Sequence, residues 1–283
     1  MTKITKFTVD DVRFPTSKDL TGSDAIHTDP DYSATYVTVF TSDTNLKGFG
    51  IAFTIGKGND IVADCIKHFF PLFIGKTLDE LEKDIGKLWF QCVDHSQLRW
   101  LGPEKGVVHM AVAAIFNSLW DLIAKKNQKP LWQFVVDSKP DTIMDWLTFK
   151  YIEDALSKDE AYKILQDSQI HKEHRMQKII TEGYPSYTTA AGWLGYSDEK
   201  IIELCNRYIA QGWKHFKIKV GLDLEADVKR LELIRRTIGP DCSIMVDANQ
   251  QWSVKQSIEH INAYKKFNLL FVEEPTSPDD VMG

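Results

Sequence analysis

An α+β domain followed by the first half of a TIM-like (β/α) barrel is the fold predicted by three features of this 283-residue sequence. Three strand-like runs near the N-terminus precede a series of helical stretches, the pattern of an antiparallel meander with helices added to it. Beyond Gly183, four apolar runs alternate with three amphipathic helical segments, and the runs start 28, 28 and 26 residues apart, the length of one βα unit. Three of those runs end in ionisable residues, and the active sites of (β/α) barrels gather at the C-terminal ends of strands. On this reading residues 1–135 form the α+β domain, and residues 136–283 form a helical linker and the N-terminal half of the barrel.

The strand-like runs are Ile4 to Phe14, Ala34 to Ser42 and Leu46 to Ile55, with the turn SDTNLKG joining the second to the third. Between the first two lies PTSKDLTGSDAIHTDPDYSA, rich in Ser, Thr, Asp and Pro and without a period. A loop of that length inside a compact domain predicts a mobile lid from Thr16 to Tyr32 that contributes substrate contacts. Val107 to Lys126 carries apolar residues at helical spacing, small alanines for close packing and two lysines at its C-terminal end, which predicts a buried helix. Tyr151 to Glu182 is helical and strongly charged; His171 and His174 lie three apart there with no third ligand nearby and are read as part of a solvated face. The barrel runs are Tyr187 to Trp193, His215 to Val220, Ser243 to Asn249 and Leu269 to Pro275.

Composition narrows the function. With 43% hydrophobic and 26% charged residues the chain can bury a sizeable core, and its formal net charge of -6 with no basic tract argues against nucleic acid and anionic membrane as partners. Cys65, Cys92, Cys205 and Cys242 are far apart and at no zinc-ligand spacing, so they are read as reduced core residues. MTKITKFTVDDVRF alternates like a strand and has neither a secretory nor an amphipathic targeting pattern, so a cytoplasmic location is the default, and a mitochondrial one requires a presequence outside this chain.

The barrel runs carry the chemistry. A Rossmann sheet would show a Gly-rich turn after its first strand, and none is present. Lys217 and Lys219, two apart on a strand, point to one face; mutual repulsion and desolvation both lower an amine pKa, which would leave one lysine able to act as a base near neutrality. Asp247 and Glu273 end successive strands, and carboxylates on adjacent parallel strands can share one ion; hard oxygen ligands without His or Cys favour Mg²⁺. Asn249, on the face of Asp247, can support that ligand sphere. A base beside a carboxylate-bound magnesium is the apparatus for removing a proton α to a carboxylate.

KIKVG, VDANQ and VEEP at these spacings resemble the mandelate racemase branch of the enolase superfamily, and NSLWDLIAKKNQKPLWQF resembles the helix and linker leading into that family's barrel. The resemblance implies Lys219 as the base, Lys217 as its partner near the substrate carboxylate, Asp247 and Glu273 as the first two magnesium ligands, and Glu274 as a supporting residue. It also implies that the N-terminal domain caps the barrel and supplies specificity loops. RFPTSKDLTGSDAIHTDPDYSA, QLRWLGPEKGVVHMA, YTTAAGWLGYSD and VEEPTSPDD are similar to the L-fuconate dehydratases within the family, which implies loss of water from L-fuconate to give 2-keto-3-deoxy-L-fuconate. Ser23, Asp24, His27, Arg99, Trp100 and Trp193, drawn from those stretches, are the weaker candidates for substrate contacts, and a homo-oligomer is expected for a full-length form.

The same resemblance calls for a third carboxylate ligand on a fifth strand and a His/Asp pair on the sixth and seventh, and the sequence ends at Gly283, after the fourth. The chain alone is therefore expected to be inactive and not to persist as a stable monomer, because its last strand has an open edge. Two alternatives stand beside L-fuconate dehydration: a dehydratase for another aldonic or aldaric acid sugar, and a non-catalytic or regulatory product.

Overall fold

The computed structural model describes residues 1–101, 104 and 106–283, and these form two compact units. The first comprises Met1–Phe14 and Tyr32–Glu182, the second Pro15–Asp31 and Gly183–Gly283.

The first unit is an antiparallel sheet covered by helices. Strands β1 (Ile4–Arg13), β2 (Ser33–Thr41) and β3 (Lys47–Thr54) lie in the order β1-β2-β3, within a residue or two of the runs read from the sequence. Alternation decides which face is covered: Val37 and Val39 of β2 and Ala52 of β3 are buried, while Tyr36, Phe49, Ile51 and Phe53 are exposed. On the covered face lie α1 (Asn59–Phe69), α2 (Leu78–Val93) and α3 (Val107–Lys126), the last with the bounds the apolar pattern predicts. Contact between β3 and α3 is close because β3 presents glycines there. A Cβ on Gly50 would lie 2.0 Å from the Ala114 carbonyl oxygen, and one on Gly48 would lie 2.2 Å from that of Ser118. Helix α2 begins with a capping box in which Thr77 and Glu80 each bind the other's backbone. At the start of α1 the buried Asn59 side chain accepts from Thr35 and Thr54 and donates to the Ala34 carbonyl, pinning the helix to the sheet.

Helices α4 (Leu131–Asp137), α5 (Pro140–Trp146), α6 (Lys158–Ser168) and α7 (Lys172–Glu182) complete this unit. The domain division expected after residue 135 thus differs from the division by packing, which falls at Glu182. Its cause is aromatic: Trp146 meets Trp120 and Phe134 at ring-centroid distances of 5.0 and 5.9 Å, and its indole donates to the Glu82 carbonyl. His171 takes a left-handed conformation (φ 56°) that separates α6 from α7, and both His171 and His174 are exposed, as a solvated face requires.

In the second unit, α8 (Asp198–Ala210) precedes β4 (His215–Lys219), α9 (Leu224–Ile238), β5 (Ser243–Asp247), α10 (Val254–Tyr264) and β6 (Leu269–Glu273). The three strands form a parallel sheet in the order β4-β5-β6. After their first residues β4 and β5 are buried throughout, as continuous apolar runs in a covered parallel sheet should be. The first barrel run expected from sequence, Tyr187 to Trp193, is not a strand: it reaches β4 through one parallel bridge, Thr188 to Phe216, and then turns. Strand β6 is an outer strand of this sheet, with Leu270 62% and Phe271 40% exposed. Burial raises the thiol pKa of Cys92 to about 12 and, with Cys242 nearby, that of Cys205 to about 11; all four cysteines are free, but only Cys92 and Cys205 are buried in the core, Cys65 and Cys242 being half-buried.

Pro15–Asp31, which holds most of the Thr16 to Tyr32 stretch expected to be a mobile lid, packs as part of the second unit. Ser23 Oγ donates to the Leu194 carbonyl (2.6 Å) while the Leu194 amide donates to the Ser23 carbonyl (3.1 Å), and Ser23, Asp24 and Ala25 are buried. Thr16 Oγ1 donates to Pro30 and Ser17 Oγ to Asp31, so the segment is closed on itself as well.

The glycine contacts give a stability test. Gly50→Ala is expected to cost about 3 kcal/mol in urea unfolding because the obstacle is helix backbone, whereas Gly58→Ala, with open space around it but φ 78°, should cost about 1 kcal/mol. Equal losses would show that β3 and α3 are not in close contact.

Candidate functional site

Parallel pairing builds the site. Register places Lys219 of β4 beside Asp247 of β5, and Asp247 beside Glu273 of β6, so three charged residues share one level at the C-terminal end of the sheet. Two residues back on the same face is Lys217. The ammonium of Lys217 donates to Asp247 Oδ2 (3.1 Å) and Glu273 Oε2 (2.8 Å), and that of Lys219 donates to the same Asp247 oxygen (2.7 Å) and to Asn249 Oδ1 (2.9 Å). Lys217, Lys219 and Asp247 are buried, while the Glu273 side chain remains 35% exposed.

These groups set one another's ionisation. Burial alone would push the Asp247 carboxyl up, but hydrogen bonds from Lys219, the Asn249 amide and Lys217 hold it below the usual carboxylate range. Burial would likewise pull the Lys217 ammonium down, yet Glu273, Tyr187 and Asp247 bind it and raise its pKa well above that of an ordinary lysine. At Lys217, then, the carboxylates outweigh the burial and the neighbouring cation, both of which act to lower an amine pKa.

Aromatic rings border both amines. Lys217 Nζ lies 5.0 Å from the centroid of Tyr187, and Lys219 Nζ lies 5.7 Å from that of Trp193. Asn249 and Gln250 are both left-handed (φ 49° and 66°), as is Glu274 (φ 46°). The turn is held by backbone bonds from Gln250 to Glu274 (2.7 Å) and from Trp252 to Pro275 (3.1 Å), and it delivers the Asn249 amide oxygen to Lys219. Glu274 itself is exposed and accepts from the Gln250 side chain.

Among the candidates read from sequence, the structure brings Lys217, Lys219, Asp247, Glu273, Asn249 and Trp193 together. Ser23 spends its hydroxyl on Leu194, and Asp24 accepts from the backbone amides of Ile26 and His27 and lies 3.1 Å from the His27 ring, so these polar groups fasten their own segment. Arg99 and Trp100 belong to the first unit, on the short turn Arg99–Leu101, where Arg99 borders a cavity of about 310 Å³ with Trp89, His109 and Tyr151. Sequence reading missed Tyr187 and Arg230. Tyr187 opens a run taken for a plain strand. Arg230 sits on α9 among Asp227, Leu231 and Ile234, and a charge on the buried side of an amphipathic helix was the available signal.

The donor set bears on a metal. Two carboxylate oxygens from adjacent strands lie within 3.1 Å of one cationic nitrogen, so the sheet converges them on a single positive centre, and the Asn249 amide oxygen stands close by. All these donors are hard oxygens, which suits a magnesium-like ion, though no group of three His, Cys, Asp or Glu ligands occurs among the described residues.

Residues 20–135 match the mandelate racemase / muconate lactonizing enzyme N-terminal domain, and residues 200–283 match the enolase C-terminal domain-like family. The chain carries the two domains of the enolase superfamily. It is 48% identical to mitochondrial enolase superfamily member 1 of Xenopus laevis over 99% of its own length and 63% of that protein. It is 45% identical to L-galactonate dehydratase of Hypocrea jecorina, with the same coverages of 99% and 63%. The crystal structure of human mitochondrial enolase superfamily member 1 superposes with a TM-score of 0.95 at 45% identity, covering 99% of this chain and 64% of that one. L-talarate dehydratase from Polaromonas, crystallised with Mg and L-glucarate, shares the fold at 20% identity and a TM-score of 0.67. The chain thus spans 63–64% of the length of these mitochondrial and L-galactonate dehydratase relatives. The first unit holds the superfamily's N-terminal cap and the second its barrel-type domain.

The shared Asp247 oxygen predicts non-additivity. Lys217→Met is expected to lower stability by about 2 kcal/mol, less than a fully buried pair because Glu273 is partly solvated. Adding Asp247→Asn should recover part of that loss, a coupling of about 1 kcal/mol in a double-mutant cycle. Strictly additive losses would show that the two side chains do not interact.

Proposed function

We propose that this chain carries the proton-abstracting half of an acid-sugar dehydratase site, with L-fuconate as its substrate and 2-keto-3-deoxy-L-fuconate and water as the products. The arrangement of Lys219, Asp247 and Glu273 at one level of a parallel sheet carries the reading, because it sets an amine beside paired hard-oxygen ligands. Lys219 takes the proton from C2. Lys217, two residues back on the same face and bordered by Tyr187, receives the substrate carboxylate with its ammonium. Asp247 and Glu273 would hold Mg²⁺, with Asn249 and Glu274 supporting them. When bound, the ion supplies positive charge to the enediolate oxygens on which negative charge develops. Loss of the C3 hydroxyl and tautomerisation of the enol then give the 2-keto acid.

The substrate rests on the cap and barrel-loop stretches similar to L-fuconate dehydratases, with Ser23, Asp24, His27, Arg99, Trp100 and Trp193 as proposed contacts or supports of contacts. A second reading, L-galactonate, is favoured by the relative from Hypocrea jecorina named for it. L-Fuconate is the 6-deoxy form of L-galactonate, so the two acids present the same C2 and C3 to the base and differ only in a methyl against a hydroxymethyl group at C6. A homo-oligomeric full-length form is proposed, and the acidic net charge of -6 supports a small-molecule partner over nucleic acid or an anionic membrane. The curated relatives named as mitochondrial favour that compartment over the cytoplasmic default.

Three experiments test this, each on the longest form that the gene encodes. With a panel of aldonic and aldaric acids, 2-keto acid release should be fastest for L-fuconate; faster release from L-galactonate would install the second reading. Lys219→Ala should lower turnover and C2 hydrogen exchange with solvent about 1,000-fold, and near-normal exchange would assign the proton to another base. Removal of Mg²⁺ by chelator should abolish activity, and Asp247→Asn or Glu273→Gln should raise the Mg²⁺ needed for half-maximal rate by more than about tenfold. Full activity in chelator would remove the metal from the mechanism.

A further inference from the structure

Arg230 is a cation placed against backbone. On α9 it stands among Asp227, Leu231 and Ile234, on the side facing the sheet, and its Nε is buried without a hydrogen-bond partner. The rest of its guanidinium donates to three carbonyls: Nη1 to Trp193 (3.0 Å), Nη2 to Gly192 (3.3 Å), and Nη2 to Lys219. Burial lowers its pKa to about 10, with nearby Asp227 acting in the opposite sense, so holding this charge here has a cost that an apolar side chain would not incur. Asp227 is itself buried, accepting from the Gly221 amide (2.8 Å) and the Tyr264 hydroxyl (3.0 Å).

The three carbonyls belong to a junction. The Gly192 carbonyl also accepts from the Lys219 amide (2.8 Å), and a Cβ on Gly192 would lie 2.2 Å from the Lys217 carbonyl oxygen, so this stretch lies directly on β4. The next residue, Trp193, lays its ring toward the Lys219 ammonium, and Leu194 exchanges two hydrogen bonds with Ser23 of the Pro15–Asp31 segment. One guanidinium therefore grips the backbone of the lysine and of the residues that cover it.

We propose that Arg230 is a positioning residue that clasps Gly192–Leu194 onto the end of β4, fixing the Trp193 ring relative to the Lys219 ammonium and, through Leu194, seating the Pro15–Asp31 segment. Its consequence for catalysis rests on Lys219 being the base; the clasp itself does not. A planar fork with two separate terminal nitrogens suits three carbonyls pointing from two chain segments, whereas lysine offers its donors from one nitrogen and an apolar residue offers none.

The test uses the full chain labelled with 5-fluorotryptophan, the Trp193 resonance being assigned by Trp193→Phe. In the parent, Lys219→Met should shift that ¹⁹F resonance, since it removes the ammonium and leaves the backbone carbonyl in place. In Arg230→Met the resonance should move and no longer respond to Lys219→Met. Amide exchange at Gly192, Leu194 and Ser23 should rise at least tenfold while that of α3, in the other unit, is unchanged. Arg230→Ala with added methylguanidinium should recover both signals. Arg230→Lys, which keeps the charge and fewer donors, should give intermediate values and serves if the methionine variant does not fold. Persistence of the Trp193 response to Lys219→Met, or unchanged protection at Leu194 and Ser23, would overturn the clasp. Neither readout needs turnover, so an active Lys219→Ala enzyme would overturn the base assignment and leave the clasp standing.

Discussion

One carboxylate oxygen organises the end of the parallel sheet. Asp247 Oδ2 accepts from both Lys217 and Lys219, and the sheet has to supply it: strand register sets Lys219 beside Asp247 and Asp247 beside Glu273, and the pleat puts Lys217 on the same face. Buried charges persist only where they are paired and hydrogen-bonded. A slip of one residue in any of these strands would turn the side chains to the opposite face and leave uncompensated ions in the protein interior. The same cluster that constitutes the candidate site therefore also specifies the register of β4, β5 and β6.

Around that cluster the chain uses conformations an ordinary sequence avoids. Asn249, Gln250 and Glu274 all have positive φ at the tips of β5 and β6, and the two tips are stitched together by main-chain bonds. Gly221, between β4 and α9, is held from both sides, its amide by Asp227 and its carbonyl by the Trp252 indole, with Ala25 against it. Strained tips of this kind place acceptors where side-chain length alone would not.

The first unit meets a simpler demand. Gly48 and Gly50 let β3 approach the backbone of α3, and the alanines of α3 complete that fit. Tryptophans 120 and 146 with Phe134 then bind the following helices to this unit, so the helical stretch between the two domains packs with the cap.

Alternation, helical spacing and the 26- to 28-residue repeat were enough to determine the three antiparallel strands, the limits of α3, and the three parallel strands with their charged ends. They are local periodicities that each segment must satisfy before it packs. Lys217, Lys219, Asp247 and Glu273 were legible because ionisable groups toward the ends of apolar runs stand out locally, and Asn249 because it shares the face of Asp247. Three things waited for the tertiary structure. The Tyr187 to Trp193 run looks like a strand by composition, but only one bridge to β4 forms before Gly192 brings it against β4 and the chain turns. The Pro15–Asp31 segment looks like a free loop until Leu194, some 170 residues away in sequence, supplies partners for Ser23. The protonation of Lys217 depends on two carboxylates 30 and 56 residues distant, and no local pattern carries the sign of that interaction. Sequence determines what each segment can become; the pKa values and the clasped loops are decided by which distant groups the fold brings within about 3 Å, the range in which hydrogen bonds and ion pairs act.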